Sequence, residues 1–309
     1  GITSSPLKVN TSFLCVHVMR ALGVYVLCYF VIKLWPAMGF RQHGHSSKIQ
    51  KRAIAPHVAP VVFVPGITSS PLKARRIPGK RLGMPECESA IPKSGWYNLY
   101  VSTARSMNAA CLLWQMQLQT PVDKSDPNSC VSDAEGLEVR EIGFGTTEGA
   151  EVLNPGDLVK FELYAKMNRV LQSIGLTRDK MIRYATYDWR KHGDPCWEKQ
   201  WFPRLKELVE NTAAECGEPI NLACHSMGCP LVHVFLNSVD AGWKKKHILE
   251  FIATGPAFGG ATALLQNFIQ GPSYDFVPLA FSTIGRAALN SMPGVYSLLP
   301  TRLGNTWAE

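Results

Sequence analysis

Short apolar runs of two periods alternate through most of the chain. Pro60-Val61-Val62-Phe63-Val64 is a β-branched and aromatic run closed by Pro65-Gly66, which predicts a buried strand ending in a turn. From Phe161 to Leu171 the apolar positions recur at helical spacing, and Gly175 ends the segment. Met181 to Tyr184 predicts a strand, with Tyr187-Asp188-Trp189-Arg190 in a turn after it. Trp201, Leu205, Leu208 and Val209 then mark a second amphipathic helix, closed by Gly217. Ile220 to Ala223 has strand character and leads through Cys224-His225-Ser226-Met227-Gly228 into an apolar segment of helical spacing; Leu249 to Thr254 predicts one more strand. Strands alternating with helices predict an α/β fold with a mainly parallel sheet covered on both faces.

Two stretches depart from this pattern. Arg75 to Gln119 reads without regular strands and holds Trp96, Tyr97, Tyr100, Leu112, Leu113, Trp114 and Met116. Such side chains either face lipid or fill the core of a subdomain. A loop rich in Asp, Ser and Pro follows, from Pro121 to Ser132. Nearer the start, Phe13 to Trp35 is mostly apolar, with an uninterrupted run of 12 residues from Ala21 to Ile32. Crossing a bilayer takes about 20 residues, a length reached only by including His17 and Arg20, so a signal peptide or signal anchor is one reading. Lys33, Arg41, Lys48, Lys51 and Arg52 follow the run and Lys8 alone precedes it, a bias that would keep the downstream part in the cytosol. One sequon, Asn10-Thr11-Ser12, lies beside it.

The octapeptide GITSSPLK occurs twice, at 1–8 and 66–73, and no similarity continues past either copy. A structural repeat would be longer and more diffuse. The match therefore reads as an error of sequence assembly or as a short duplication. Residues 1–58 are accordingly treated as an N-terminal segment. Residues 59–309 form the expected globular domain, with an insertion at 84–119.

Composition narrows the picture further. A chain of 309 residues with 46% hydrophobic residues can fill a substantial core. A net charge of +8 favours anionic surfaces. No basic run interleaved with aromatics is present, so the charge reads as solvated surface first, attraction to acidic lipid second and nucleic acid last. The nine cysteines lack CxxC or Cys/His ligand spacing, which argues against a zinc site, and no metal or cofactor is expected. Their number suits a reduced cytosolic protein or a secreted one with one or two bridges, and an odd total leaves one unpaired within the chain.

The candidate chemistry lies at Ser226. A strand, a sharp turn carrying a serine, and a helix are the parts of a nucleophile elbow, which exposes a hydroxyl at the edge of a sheet. Small residues are needed two positions to either side, where the backbones crowd. Gly228 suits that demand and Cys224 suits it less well. The alternative on these five residues alone is a helix-capping serine.

Several motifs agree in order. Val64-Pro65-Gly66 with Ser70-Pro71-Leu72-Lys73-Ala74, then Tyr187-Asp188-Trp189-Arg190, then His225-Ser226-Met227-Gly228, then Phe251-Ile252-Ala253-Thr254-Gly255-Pro256-Ala257-Phe258-Gly259-Gly260 resemble the lecithin:cholesterol acyltransferase family. That family includes phospholipid:diacylglycerol acyltransferases and lysosomal phospholipase A/transacylases. The resemblance runs from about Ala59 to about Trp307. It implies an α/β-hydrolase fold with a lid or membrane-contacting insertion, and acyl transfer from a phospholipid through an acyl-serine at Ser226 to a lipid alcohol. Hydrolysis by water, as a phospholipase A, is the alternative. The implied oxyanion donors are the backbone N–H groups of Ile67 and Met227. Cys87 and Cys111 stand where the family closes a membrane-contacting loop with a disulfide, with Trp96 and Tyr97 inside it; two reduced cysteines in a subdomain core are the other possibility. Phospholipid and lipid-alcohol substrates, a membrane or lipoprotein surface, and a secretory or lysosome-like location follow from the same resemblance.

The departures are as informative. The family's triad aspartate and histidine lie far downstream of the serine, whereas 83 residues follow Ser226 here. His233 falls on the elbow helix, seven positions on, and is expected to point along it. His247 is expected in a Lys-rich loop, and Asp240 and Asp275 match no family acid. The later strands, the acid and the base are expected to be missing, so that the chain reads as a fragment. A lipid-binding pseudoenzyme that has lost its triad is a further alternative.

Overall fold

The computed structural model describes residues 58–99, 109–121, 123, 126, 128–158, 160–262, 264 and 279–300. The apolar stretch Phe13–Trp35, the first copy of the octapeptide, Cys15, Cys28, Tyr100 and Asp275 lie outside them.

In chain order the strands are β1 (Val61–Val64), β2 (Leu72–Arg76), β3 (Tyr97–Asn98), β4 (Leu118–Gln119), β5 (Ser132–Asp133), β6 (Leu137–Glu141), β7 (Ile182–Tyr184), β8 (Ile220–His225) and β9 (Ile248–Thr254). The helices are α1 (Ala109–Met116), α2 (Glu148–Glu151), α3 (Ala165–Ser173), α4 (Pro195–Cys216), α5 (Gly228–Ser238), α6 (Ala241–His247), α7 (Leu279–Asn290) and α8 (Pro293–Tyr296).

The central sheet has the order β7-β1-β8-β9, and every pairing is parallel. β1 is buried along its whole length, as expected of a strand whose β-branched run is covered on both faces. Val61 to Val64 register against Asn221 to Cys224 on one side, and Val61 to Phe63 against Ile182 to Tyr184 on the other. α4 connects β7 to β8. Its start is fixed by Asp194, whose carboxylate accepts the Cys196 N–H at 3.2 Å, and by Pro195 in its first turn; Gly217 at φ 75° closes it in the left-handed conformation. Trp201, Leu205, Leu208 and Val209, the stripe expected from sequence, are buried, and Trp201 donates its indole N–H to Thr186 O at 3.1 Å. The result is an α/β fold with a mostly parallel central sheet flanked by helices, the arrangement of an α/β-hydrolase.

A second sheet corrects the expectation that Arg75 to Gln119 lacks regular strands. β2 runs antiparallel between β3 and β6, with Ala74 opposite Tyr97 and Val139. The segment Leu72-Lys73-Ala74-Arg75-Arg76 buries alternate residues, and its outward positions are basic, so hydropathy alone hides it. α1 completes this part, and the Cys87–Cys111 disulfide joins its two ends. Among the described residues Cys130–Cys196 and Cys224–Cys229 are also bonded, and Cys216 is free. That is one bridge more than the sequence count allowed for. Among the described residues no helix is long and apolar enough to cross a membrane.

Candidate functional site

The site follows from the topology. After β1 the chain leaves toward β7, and after β8 it leaves toward β9, so the carboxyl ends of these neighbours open a crevice at a topological switch point. Two corners meet there.

The first is Gly66-Ile67-Thr68-Ser69, a turn in which the Ser69 N–H donates to Gly66 O at 3.1 Å. Thr68 adopts φ 58°. Ile67 is buried at the second position, whose N–H a turn of this kind does not use internally. The second corner is Ser226, at φ 51° between β8 and α5. A positive φ is unusual for any residue with a side chain, and two of the three such residues among the described residues flank this crevice. Ser226 is half-buried and held on both sides by backbone: its N–H donates to Thr254 O at 3.1 Å, and its carbonyl accepts from Cys229 at 3.1 Å and Ala257 at 3.3 Å. Met227 precedes the first turn of α5, where helix geometry leaves N–H groups without intrahelical partners.

The corners are pressed together. A side-chain carbon on Gly66 would stand 3.0 Å from both Ser226 Cβ and His225 Nδ1, and one on Gly228 would fall 2.4 Å from Pro65 O and 2.6 Å from Val64 O. Glycine is therefore required at 228 by the approach of α5 to the end of β1. Cys224, the awkward neighbour in the sequence pattern, is accommodated because its fully buried side chain turns to Cys229 on α5 and bonds to it, spanning the elbow. Tyr164, at the start of α3, enters the same space. Its hydroxyl oxygen is 2.9 Å from His225 Nδ1 and accepts the Gly66 N–H at 3.4 Å. Burial holds the His225 imidazole below the ordinary histidine range, so it is neutral at pH 7.

The Tyr187-Asp188-Trp189-Arg190 segment supports the first corner from behind. Tyr187 donates its hydroxyl to Pro65 O at 3.0 Å and its N–H to Ser70 Oγ at 3.2 Å. Arg190, fully buried, donates to both Asp188 carboxylate oxygens at 2.9 and 2.7 Å, to Asp133 Oδ1 at 2.7 Å and to Met116 O at 3.4 Å. Lys191 lies 3.2 Å from Asp133 and 3.4 Å from Asp188, so two cations meet two carboxylates. Burial alone would raise the Asp188 carboxyl, but the Arg190 and Lys191 charges and the guanidinium hydrogen bonds outweigh it and hold the carboxyl below its usual range.

The family model for lecithin:cholesterol acyltransferase matches residues 93–308. The chain belongs to that family. Human phosphatidylcholine-sterol acyltransferase is 27% identical over 214 residues, covering 68% of this chain and 46% of that protein. The bovine lysosomal phospholipase A and acyltransferase is 33% identical over 174 residues, covering 56% and 42%. The chain thus spans about half the length of these curated relatives. A solved structure, titled as the Tle4–Tli4 complex, covers 79% of this chain and 54% of its own at 13% identity and a TM-score of 0.39, too slight a likeness to carry an argument.

Within this family member the other residues singled out from sequence fall as follows. Tyr97 is buried and donates its hydroxyl to Gln115 Oε1 at 2.6 Å. Its neighbour Trp96 is half-buried, with Arg75 4.7 Å from its ring centroid and Arg140 4.0 Å from it. His233 is exposed on α5 and 3.4 Å from Asn237 Nδ2. His247 ends a helix rather than lying in a loop. Asp240 caps that helix by accepting the Trp243 N–H at 2.8 Å, and Lys244, Lys245 and Lys246 suit its carboxyl end. His192 is buried against Glu198 at 3.0 Å. Among the described residues no histidine is hydrogen-bonded to Ser226. Sequence reasoning missed Tyr164, which falls in a segment expected to be helical, and Asp133, which no pattern singled out.

Proposed function

We propose that Ser226 is the nucleophile of a lipid acyl-transfer enzyme. In this reading its hydroxyl attacks the acyl ester of a phospholipid, the headgroup-bearing alcohol leaves, and the acyl-serine is resolved by a lipid alcohol. The observation that carries the proposal is the left-handed Ser226 at φ 51°, at the carboxyl end of β8. A serine held in a conformation that costs of order 1–3 kcal/mol is a feature that functional sites retain. The backbone N–H groups of Ile67 and Met227 are the proposed oxyanion donors, since a turn and a helix start leave both amides outside their own hydrogen-bond patterns. A serine hydroxyl also needs a general base, worth roughly 10²- to 10⁴-fold, and an acyl-enzyme of this kind uses neither metal nor cofactor.

Water resolving the same acyl-enzyme gives the phospholipase reaction. Support for lipid as the substrate comes from the family and from the activities its members are named for, a phosphatidylcholine-sterol acyltransferase and a lysosomal phospholipase A and acyltransferase. Trp96 between Arg75 and Arg140 is the proposed contact with an anionic membrane or lipoprotein surface, an aromatic and cationic pairing suited to an interface. Three disulfides among the described residues favour an oxidising, secretory or lysosome-like compartment.

The test is turnover of acyl-labelled phospholipid vesicles by the intact natural protein, with and without cholesterol, diacylglycerol or ceramide. Labelled ester on the added alcohol supports the transferase; free fatty acid alone supports the phospholipase. Ser226→Ala is expected to lower either product by roughly 10⁴-fold or more with an unchanged thermal midpoint. Near-normal turnover in that variant removes Ser226 from the mechanism. An inactive wild-type protein that still binds vesicles supports a pseudoenzyme instead.

A further inference from the structure

We infer that Tyr164 is a positioning residue for the site, stapling the two corners through one hydroxyl. The inference rests on the proposed role of Ser226. Tyr164 reaches the residue immediately before each chemical group: Gly66 precedes Ile67, and His225 precedes Ser226. The two strand ends are already so close that a Cβ on Gly66 would contact His225 and Ser226, so a small shift of either corner alters the gap between nucleophile and oxyanion donor.

The hydrogen-bond inventory allows one hydroxyl to make both contacts at once. A phenol has one proton to donate and lone pairs to accept with. Tyr164 accepts the Gly66 N–H, and with the His225 proton on Nε2 the phenol can donate its own proton to Nδ1 at the same time. The ring is itself held in place. It packs against Phe63 at 5.0 Å between centroids, Tyr184 at 5.8 Å and His225 at 6.0 Å, and the Tyr164 N–H donates to Ala150 O at 3.3 Å. The hydroxyl is therefore delivered by a fixed aromatic cluster and not by a free rotor.

Tyr164→Phe removes the hydroxyl and keeps the ring, so the fold and the thermal midpoint should persist. The experiment uses the intact protein in three forms, wild type, Tyr164→Phe and Ser226→Ala, with two measurements. One is the rate of labelling by a fluorophosphonate probe, which reacts with activated serines. The other is the ¹⁵N and ¹H NMR signals of the His225 imidazole and the Gly66 amide. The phenylalanine variant should label about tenfold more slowly, the equivalent of one lost neutral hydrogen bond, and should shift both the Nδ1 and the Gly66 signals. An unchanged rate, or a slower rate with both signals unmoved, overturns the staple. Undiminished labelling of Ser226→Ala overturns the nucleophile and with it the catalytic consequence for Tyr164, an outcome the other two forms cannot mimic.

Discussion

The elbow at Ser226 and the ion cluster at Arg190 are both polar islands in an apolar fold, and both lie in motifs that drew attention in the sequence, yet they are built on opposite terms. At the elbow the backbone is strained, the groups are neutral, and the serine remains half accessible. At the cluster the guanidinium is fully buried, and each charge is met by an opposite one. A motif in a sequence thus marks a constraint without saying whether chemistry or architecture imposes it. Strain beside solvent points to the former, and complete satisfaction in the core to the latter.

The sharpest way to break this contrast is Arg190→Met. It leaves the buried Asp188 and the half-buried Asp133 without their main partner and should lower unfolding free energy by about 3–5 kcal/mol in urea titration. Serine labelling per folded molecule should stay within a few-fold of wild type. Lost labelling at undiminished stability would make the cluster part of the chemistry.

Acid provides a gentler version. The Asp188 carboxyl is held below its unfolded value of about 3.9, so its contribution is complete above that pH and is lost as pH falls through the depressed value. The thermal-midpoint difference between wild type and Asp188→Asn should therefore be constant near neutrality and shrink below about pH 4. A constant difference down to pH 2 would show that the carboxylate is not preferentially stabilised by folding.

The smallest effect concerns the elbow itself. Ser226→Gly relieves the left-handed strain that Ser226→Ala retains, and should be the more stable of two inactive variants by about 1 kcal/mol in the same titration. Equal stabilities would mean that the corner carries no strain.

The parallel core was largely legible in sequence, because β1, β8 and α4 each carry an apolar pattern long enough to register, and β1 and α4 end in Pro-Gly and glycine. The antiparallel sheet was not. β3 is two residues long and three of the five residues of β2 are basic, so neither alternation nor hydropathy reveals them, and the separate β4–β5 pair is equally short. The strand–turn–helix corner at Ser226 was legible because its determinants are local. Tyr164 was not, since its partners lie 61 and 98 residues away and a tyrosine on a helix face looks like packing. Cys224 misled for a related reason: a poor elbow residue by size becomes a good one by bonding to Cys229.

The Arg190 cluster also bears on the order of folding. Its pieces come from Met116, Asp133 and Asp188 to Lys191, with contacts spanning 74 and 57 residues of chain. Desolvating a guanidinium before both carboxylates have arrived costs several kcal/mol, so these partners do not assemble one at a time in a partly folded chain. The cluster is expected to close after the β1–β8 sheet has formed and brought its segments together. Interactions that form beyond the transition state slow unfolding more than they speed folding. Arg190 is then expected to act as a latch on a structure already assembled, with Arg190→Met raising the unfolding rate more than it lowers the folding rate in a denaturant-jump measurement.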